Sequence, residues 1–233
     1  MEAQADRVRT LGEWEQGWKE GEIGFHQYCV HKMLESYIDK VLCGRKRIRF
    51  FFPLCGKAVD MKWLADMGHS VVGVDIAEMG IRQFFEDQKL IYSEEVVPAI
   101  PGAKVYKSSD GKISLYQCDL YKFSSAIEGQ FGGIWDRGSL VAINPRDREK
   151  YAALIMSLMD KDCQYLLDTF LYNPELFKGP PFNVPDVEVN RLFGRSCDIE
   201  FIQSSDALPD VKDKEWGLDV FIERVHLLTP KAS

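Results

Sequence analysis

Hydrophobic positions change their period along this chain, and the changes mark its elements. Arg47 to Asp75 reads RIRFFFPLCGKAVDMKWLADMGHSVVGVD. Ile48, Phe50 and Phe52 alternate with Arg49 and Phe51 up to Pro53, which predicts a strand. A loop containing Gly56 follows. Ala58 to Met67 has a helical run closed by Gly68, where a left-handed cap residue is common. Ser70 to Val74 is a short apolar strand ending on Asp75. Together they predict one strand–loop–helix–strand unit.

The same signals place the other elements. Thr10 and Glu13 form a capping box for a short helix carrying Trp14 and Trp18 on one face. A Gly-containing turn, Lys19 to Gly24, leads to Phe25 and His26. This arm, residues 11–26, is expected either to anchor on the core or to lie as a lid over a cofactor pocket. The polar residues 1–10 are expected to be mobile. His26 to Val41 has helical periodicity through Tyr28, His31, Met33, Leu34, Tyr37, Ile38 and Val41. Glu78 to Gln88 is a further helix, and residues 91–103, with two prolines, an extended crossing segment. Lys104–Lys107 and Ile113–Cys118 flank a hairpin turn. Gly132–Asp136 and Cys163–Phe170 read as strands, with a helix from Pro145 to about Met159 between them. Pro185–Phe193 is a helix, and the runs Cys197–Gln203 and Trp216–Leu228 are extended. Strand and helix alternate, then two strands follow in succession. That order predicts a single three-layer α/β/α domain over 1–233, with a mostly parallel sheet and an antiparallel strand near the end.

Charge narrows the partners. A formal net charge of −7 argues against a nucleic-acid backbone and an anionic membrane surface. No apolar run reaches membrane-span length, and the N-terminus lacks a signal-peptide core, so an intracellular, cytoplasmic protein is expected. The six cysteines are scattered with no CxxC pair, which favours free thiols. The four histidines are dispersed too, and no metal site is expected.

The candidate chemistry lies at strand ends. Asp75 ends the second strand of the opening unit, about 20 residues past the glycine loop, where nucleotide-binding α/β folds place a ribose-holding acid. That loop, Phe52-Pro53-Leu54-Cys55-Gly56-Lys57, has one glycine, whereas close approach to a pyrophosphate needs several. NAD and FAD are therefore disfavoured, and S-adenosylmethionine, which has no phosphate, is preferred. Cys55 has no histidine near it in sequence and reads as a packing residue. Asp119 follows another strand and suits an adenine edge. Asp136 and Arg137, in Trp135-Asp136-Arg137-Gly138-Ser139, close a third strand; a guanidinium there would attract an anionic acceptor such as a thiolate.

The stretches FFPLCGKAVDMKWLADMGHSVVGVD, IWDRGSLVAINP and GPPFNVP carry a resemblance to the thiopurine S-methyltransferase family, from about Leu11 to Leu228. The resemblance implies a class I, Rossmann-like methyltransferase fold with a mostly parallel seven-stranded sheet and one antiparallel strand near the C-terminus. It implies a cytosolic monomer that uses S-adenosylmethionine to methylate sulfur on aromatic and heterocyclic thiols, including thiopurines. It assigns Trp14, Trp18, Leu54, Asp75, Asp119, Leu120 and Arg137 to the cofactor, and Phe25 and Arg137 to the acceptor. Arg137 and Asp136 become the catalytic candidates, Asp136 as a group that orients Arg137 or takes a proton. Mammalian members of that family carry a substrate-reaching arginine in the loop before the last extended segment. Here that loop reads SSDALPDVKDKEWG, and Lys212 stands nearest.

Two other functions fit the residues less well. One is methylation of another soft nucleophile, such as halide, thiocyanate, selenium or tellurium species. The other is a protein that binds S-adenosylmethionine without turnover; loss of Asp75 or Arg137 would favour it, and both are present.

Overall fold

The computed structural model describes residues 8–232. Its centre is a mixed sheet. β1 (Arg49–Pro53), β2 (Ser70–Asp75), β5 (Ile113–Gln117), β6 (Phe131–Asp136) and β7 (Met159–Leu171) are parallel, in the spatial order β5-β2-β1-β6-β7. β9 (Ile222–Pro230) pairs antiparallel with β7, and β8 (Cys197–Asp206) extends that edge. At the other edge β4 (Lys104–Ser108) pairs antiparallel with β5, and β3 (Tyr92–Val96) with β4. The sheet among the described residues thus has nine strands rather than seven, and β4 joins β9 as a second antiparallel position. The difference comes from residues 92–96, YSEEV: this edge strand is exposed along nearly its whole length and carries no alternating apolar signal.

Strand alternation divides the core. Phe50 and Phe52 pack on one face with Leu34, Met61, Ile81 and Phe84 of the helices α2 (Lys32–Leu42), α3 (Asp60–Asp66) and α4 (Glu78–Asp87). Phe51 packs on the other with Tyr151, Ile155 and Phe193 of α6 (Arg148–Leu158) and α7 (Asp186–Phe193). α5 (Ser125–Glu128) is a single turn. β1 is covered on both faces, which is why its sequence is almost wholly apolar.

The N-terminal arm begins with α1 (Leu11–Glu20), where Thr10 Oγ1 accepts from Glu13 N and Glu13 Oε2 accepts from Thr10 N. Of the residues expected to be mobile, 1–7 lie outside the described residues. Arg9 is tied to Asn144 by two hydrogen bonds. The helix expected from His26 starts at Lys32. His31 caps it, accepting at Nδ1 from Met33 N while its own N–H donates to Asp60. Tyr28, counted in the apolar stripe, is 82% exposed. No helix among the described residues is long and apolar enough to cross a membrane. All six cysteines are free.

Candidate active site

The carboxyl ends of β1, β2, β5 and β6 face one crevice, because those strands are parallel neighbours. The loop after β1 is drawn tightly against β2. A Cβ on Gly73 would lie 2.8 Å from Cys55 Sγ and 2.9 Å from Leu115, so only glycine admits this approach. Leu54 and Gly56 take left-handed φ values of 46° and 48°, which turn the loop back over the strand end. Asp75 then ties it down: Oδ2 accepts from Gly56 N and Oδ1 from Ala77 N, each at 2.8 Å. Burial pushes the Asp75 carboxyl above its usual range, and the N–H donors of Ala77, Gly56 and Ile76 oppose that shift. β5 ends level with Asp75, and Cys118 N donates to the Asp75 carbonyl at 3.1 Å. Asp119 caps the following turn through Tyr121 N, and Leu120 is buried beneath it.

The arm closes over this loop. Trp18 is 6% exposed, and its ring edge lies against Gly56 and Gly80. Phe25 meets Trp14 and Trp18 edge-on, with ring centroids 6.4 and 5.7 Å apart. The Phe25 carbonyl accepts from Arg137 Nη1. Asp75, Gly56, Trp18, Phe25 and Arg137 therefore form one continuous chain of contacts. Gly80 gives a direct test of it. A Cβ there would sit 2.9 Å from the Trp18 ring, a rigid group that must move as a whole. Replacing a helical glycine gains up to ~1 kcal/mol in propensity, so global stability should hold. Gly80→Leu is expected to unseat Trp18, weaken cofactor affinity about tenfold and speed tryptic cleavage at Lys19, with the circular dichroism unchanged.

Asp136 and Arg137 part ways despite adjacency. Asp136 is fully buried; its carboxylate accepts from Tyr151 and Tyr165 hydroxyls and, at 2.9 Å, from Leu140 N. With three donors on it, it anchors the 137–140 turn and has no free lone pair directed at a substrate. Asp136→Ala would strand those buried donors at ~1–3 kcal/mol each. It is expected to lower unfolding free energy by about 3 kcal/mol or more in urea titration, where a pure proton acceptor would leave stability intact.

Arg137 is half-buried and stands between cations and acids. His26 is pushed down by burial, then by Lys57 and Arg137. Lys214 is pushed down by burial and then by Arg137, and its ammonium donates to the Gly24 carbonyl at 2.7 Å. The expected acceptor-side lysine, Lys212, sits elsewhere. It is exposed and lines a surface groove of about 360 Å³ with Leu208, Val211 and Trp216. The turn over Leu208–Lys214 puts Lys214, two residues on, against the arm.

Sequence reading also missed a buried group on the α2/α3 face. One donor atom each from His31, Asp168 and Glu223 lie within 4.8 Å of one another. The donor types suit a cation, but the imidazole does not. Nδ1 accepts from Met33 N, so the ring proton is on Nε2, directed at Glu223 Oε1 3.3 Å away, and no lone pair is left for a metal. The three residues are far apart in sequence and match no ligand spacing. Gly80, by contrast, was detectable as a glycine inside a helical pattern, a common sign of close packing.

The crevice suits S-adenosylmethionine better than a dinucleotide. The loop after β1 carries one glycine, where close approach of the backbone to a pyrophosphate needs several. The solved structures agree in fold. A 1,6-didemethyltoxoflavin-N1-methyltransferase from Burkholderia thailandensis, with S-adenosylhomocysteine bound, superposes with a TM-score of 0.62 at 15% identity, over 94% of this chain and 87% of that one. The sheet order and this superposition give the chain the class I methyltransferase fold. The Thiopurine S-methyltransferase family profile matches residues 9–231. A probable thiopurine S-methyltransferase of Danio rerio is 62% identical over 231 residues, covering 99% of both chains. The thiopurine S-methyltransferase of Bos taurus is 52% identical over 230 residues, covering 99% of this chain and 94% of that one. The chain belongs to the thiopurine S-methyltransferase family.

Proposed function

We propose that this protein transfers a methyl group from S-adenosylmethionine to the sulfur of aromatic and heterocyclic thiols such as thiopurines. The observation that carries the reading is the run of contacts from Asp75 through Gly56, Trp18 and Phe25 to Arg137, which joins a nucleoside-binding strand end to a cationic, ring-lined mouth. Asp75 would hold the ribose, Asp119 and Leu120 the adenine, and Leu54, Trp14, Trp18 and Arg137 the methionine portion. S-adenosylmethionine, when bound, supplies an electrophilic methyl carbon on a sulfonium sulfur.

The remaining roles belong to the chain. The arm, 11–26, acts as a lid: Trp14, Trp18 and Phe25 exclude water and give a ring-shaped acceptor a surface to stack on. Arg137 and Lys214 keep the acceptor sulfur anionic, so no dedicated base is required, and Lys214 takes the place expected of Lys212. Asp136 serves as the anchor of the Arg137 turn. The protein works as a single-domain cytoplasmic monomer without a metal, and without a nucleic-acid or membrane partner. The test is S-adenosylhomocysteine release by purified protein with thiophenols and thiopurines beside halide, thiocyanate and selenium compounds. Release with the inorganic nucleophiles alone would move the reading to the other soft acceptors.

A further inference from the structure

The loop that follows β6 reaches both ends of the N-terminal arm. It leaves the strand at Arg137 and runs to Asn144, ahead of Pro145. At its start, Arg137 Nη1 donates to the Phe25 carbonyl. At its end, Asn144 meets Arg9, the residue before the Thr10 cap of α1. Asn144 Oδ1 accepts from Arg9 N at 2.8 Å, and Nδ2 donates to the Arg9 carbonyl at 3.1 Å. A carboxamide offers one acceptor and one donor side by side, which matches the N–H and C=O of a single residue as a neighbouring strand would. The contact is to backbone alone, so the Arg9 side chain is left for another. Its guanidinium lies over the Trp14 ring, 4.0 Å from the centroid. Phe25 meets the same ring edge-on, so both ends of the arm converge on Trp14.

The arm depends on such ties because it buries little of its own. Of the ten residues of α1, only Gly17 and Trp18 are buried, and Leu11 is 43% exposed. A helix held by one ring and a few end contacts opens locally at far less cost than the domain unfolds. The loop that grips it is firm. Leu140 and Val141 are buried, Leu140 N donates to Asp136 Oδ1 at 2.9 Å, and the Val141 carbonyl accepts from Phe182 N at 2.6 Å. Asn144 is also not committed to the turn it precedes. It stands at the N-cap of the 3₁₀ turn Pro145–Asp147, yet its side chain makes no capping bond there. Its contact with that turn is a donation to Asp147 Oδ2 at 3.5 Å, beyond the usual range for a strong hydrogen bond. The carboxamide is spent on Arg9.

We propose that Asn144 is a positioning residue that clasps the lid at its N-terminal end, and that its grip on the Arg9 backbone sets how fast the arm opens to release S-adenosylhomocysteine. The loop 137–144 then carries the acceptor-side cation at one end and the clasp of the lid at the other. This rests on the methyl-transfer reading, in which the arm lies over the cofactor. Aspartate at position 144 has the same shape as asparagine. It keeps the acceptor for Arg9 N but turns a second oxygen on the Arg9 carbonyl. Alanine has neither function. Alanine at position 9 removes the cover on Trp14 and leaves the backbone pair in place.

The experiment compares Asn144→Ala, Asn144→Asp and Arg9→Ala with the native full chain. Dissociation of S-adenosylhomocysteine, followed by stopped-flow tryptophan fluorescence on dilution, is expected to speed up about tenfold in Asn144→Ala, the loss of two ordinary hydrogen bonds. Asn144→Asp should match it despite its native shape, and Arg9→Ala should stay within about threefold of the native rate. The KM for thiophenol at saturating S-adenosylmethionine should hold within about twofold in both Asn144 variants, because Arg137 is untouched. By NMR, the Arg9 N–H should exchange about tenfold faster in Asn144→Ala, while the amides of β1 and β6 keep their native protection. An unchanged Arg9 exchange rate would mean that the clasp is not made. An unchanged dissociation rate would mean that it does not hold the lid. Protection lost throughout β1 and β6 would mean that Asn144 serves the fold alone. Each of these overturns the proposal. Should Asn144→Ala not fold, Asn144→Asp carries the dissociation measurement. If the native protein binds no S-adenosylhomocysteine, the methyl-transfer reading fails and the release role with it, and Arg9 exchange still decides the contact.

Discussion

Arg137→Ala is expected to lower kcat/KM for thiopurine and thiophenol acceptors about a hundredfold while leaving S-adenosylmethionine affinity within about threefold. The guanidinium supplies charge at a half-buried mouth, where a fixed donor acts on an anionic sulfur far more strongly than in water. The same side chain ties the arm down through the Phe25 carbonyl, so some acceptor KM is lost as well. Lys214 remains nearby and limits the damage to below that of a fully uncharged site. Arg137→Lys should recover part of the rate but not all of it, because a point charge cannot hold the Phe25 carbonyl and the acceptor together. Steady-state kinetics with paired calorimetry check this. An equal loss in cofactor affinity would mean that Arg137 places the cofactor and not the acceptor.

Asp75→Ala should weaken S-adenosylmethionine binding about 10- to 150-fold, the equivalent of losing charge-assisted hydrogen bonds worth ~1.5–3 kcal/mol. A second effect travels with it. The Gly56 and Ala77 N–H groups lose their acceptor, so the loop after β1 should loosen and the melting temperature fall. Asp75→Asn separates the two. Its single carbonyl oxygen can keep one of the N–H bonds, and the charge is gone. It should recover part of the stability and little of the affinity. Calorimetry and thermal melts on the pair check both halves; unchanged affinity in Asp75→Ala would take Asp75 out of the cofactor site.

Much of the framework was legible because each of its signals was local. The β1–α3–β2 unit showed in alternation, a loop glycine and a terminal acid, and the Thr10–Glu13 cap lies within one turn. The misses share a cause: their determinants sit far away in sequence. α2 starts late because the His31 N–H is held by Asp60, 2.7 Å away across the core. β3 exists because β4 is beside it, not because its own residues alternate. The likeness of the loop to its family drew attention to Lys212, but the path of the turn decides which lysine meets Gly24. Asp168 and Glu223 come together only through the β7–β9 register. Asp136 looked like a group that orients Arg137 or takes a proton; strand alternation sends its side chain to the opposite face, where the tyrosines hold it.

Methyl transfer itself is tested most directly by incubating the purified protein with S-adenosylmethionine and 6-mercaptopurine or thiophenol, and following S-adenosylhomocysteine together with the S-methylated product. Stoichiometric formation of both, abolished by leaving out the thiol and reduced about a hundredfold by Arg137→Ala, is the predicted result. Tight S-adenosylmethionine binding with no product from any thiol in the panel would contradict it and leave a binding protein in place of an enzyme.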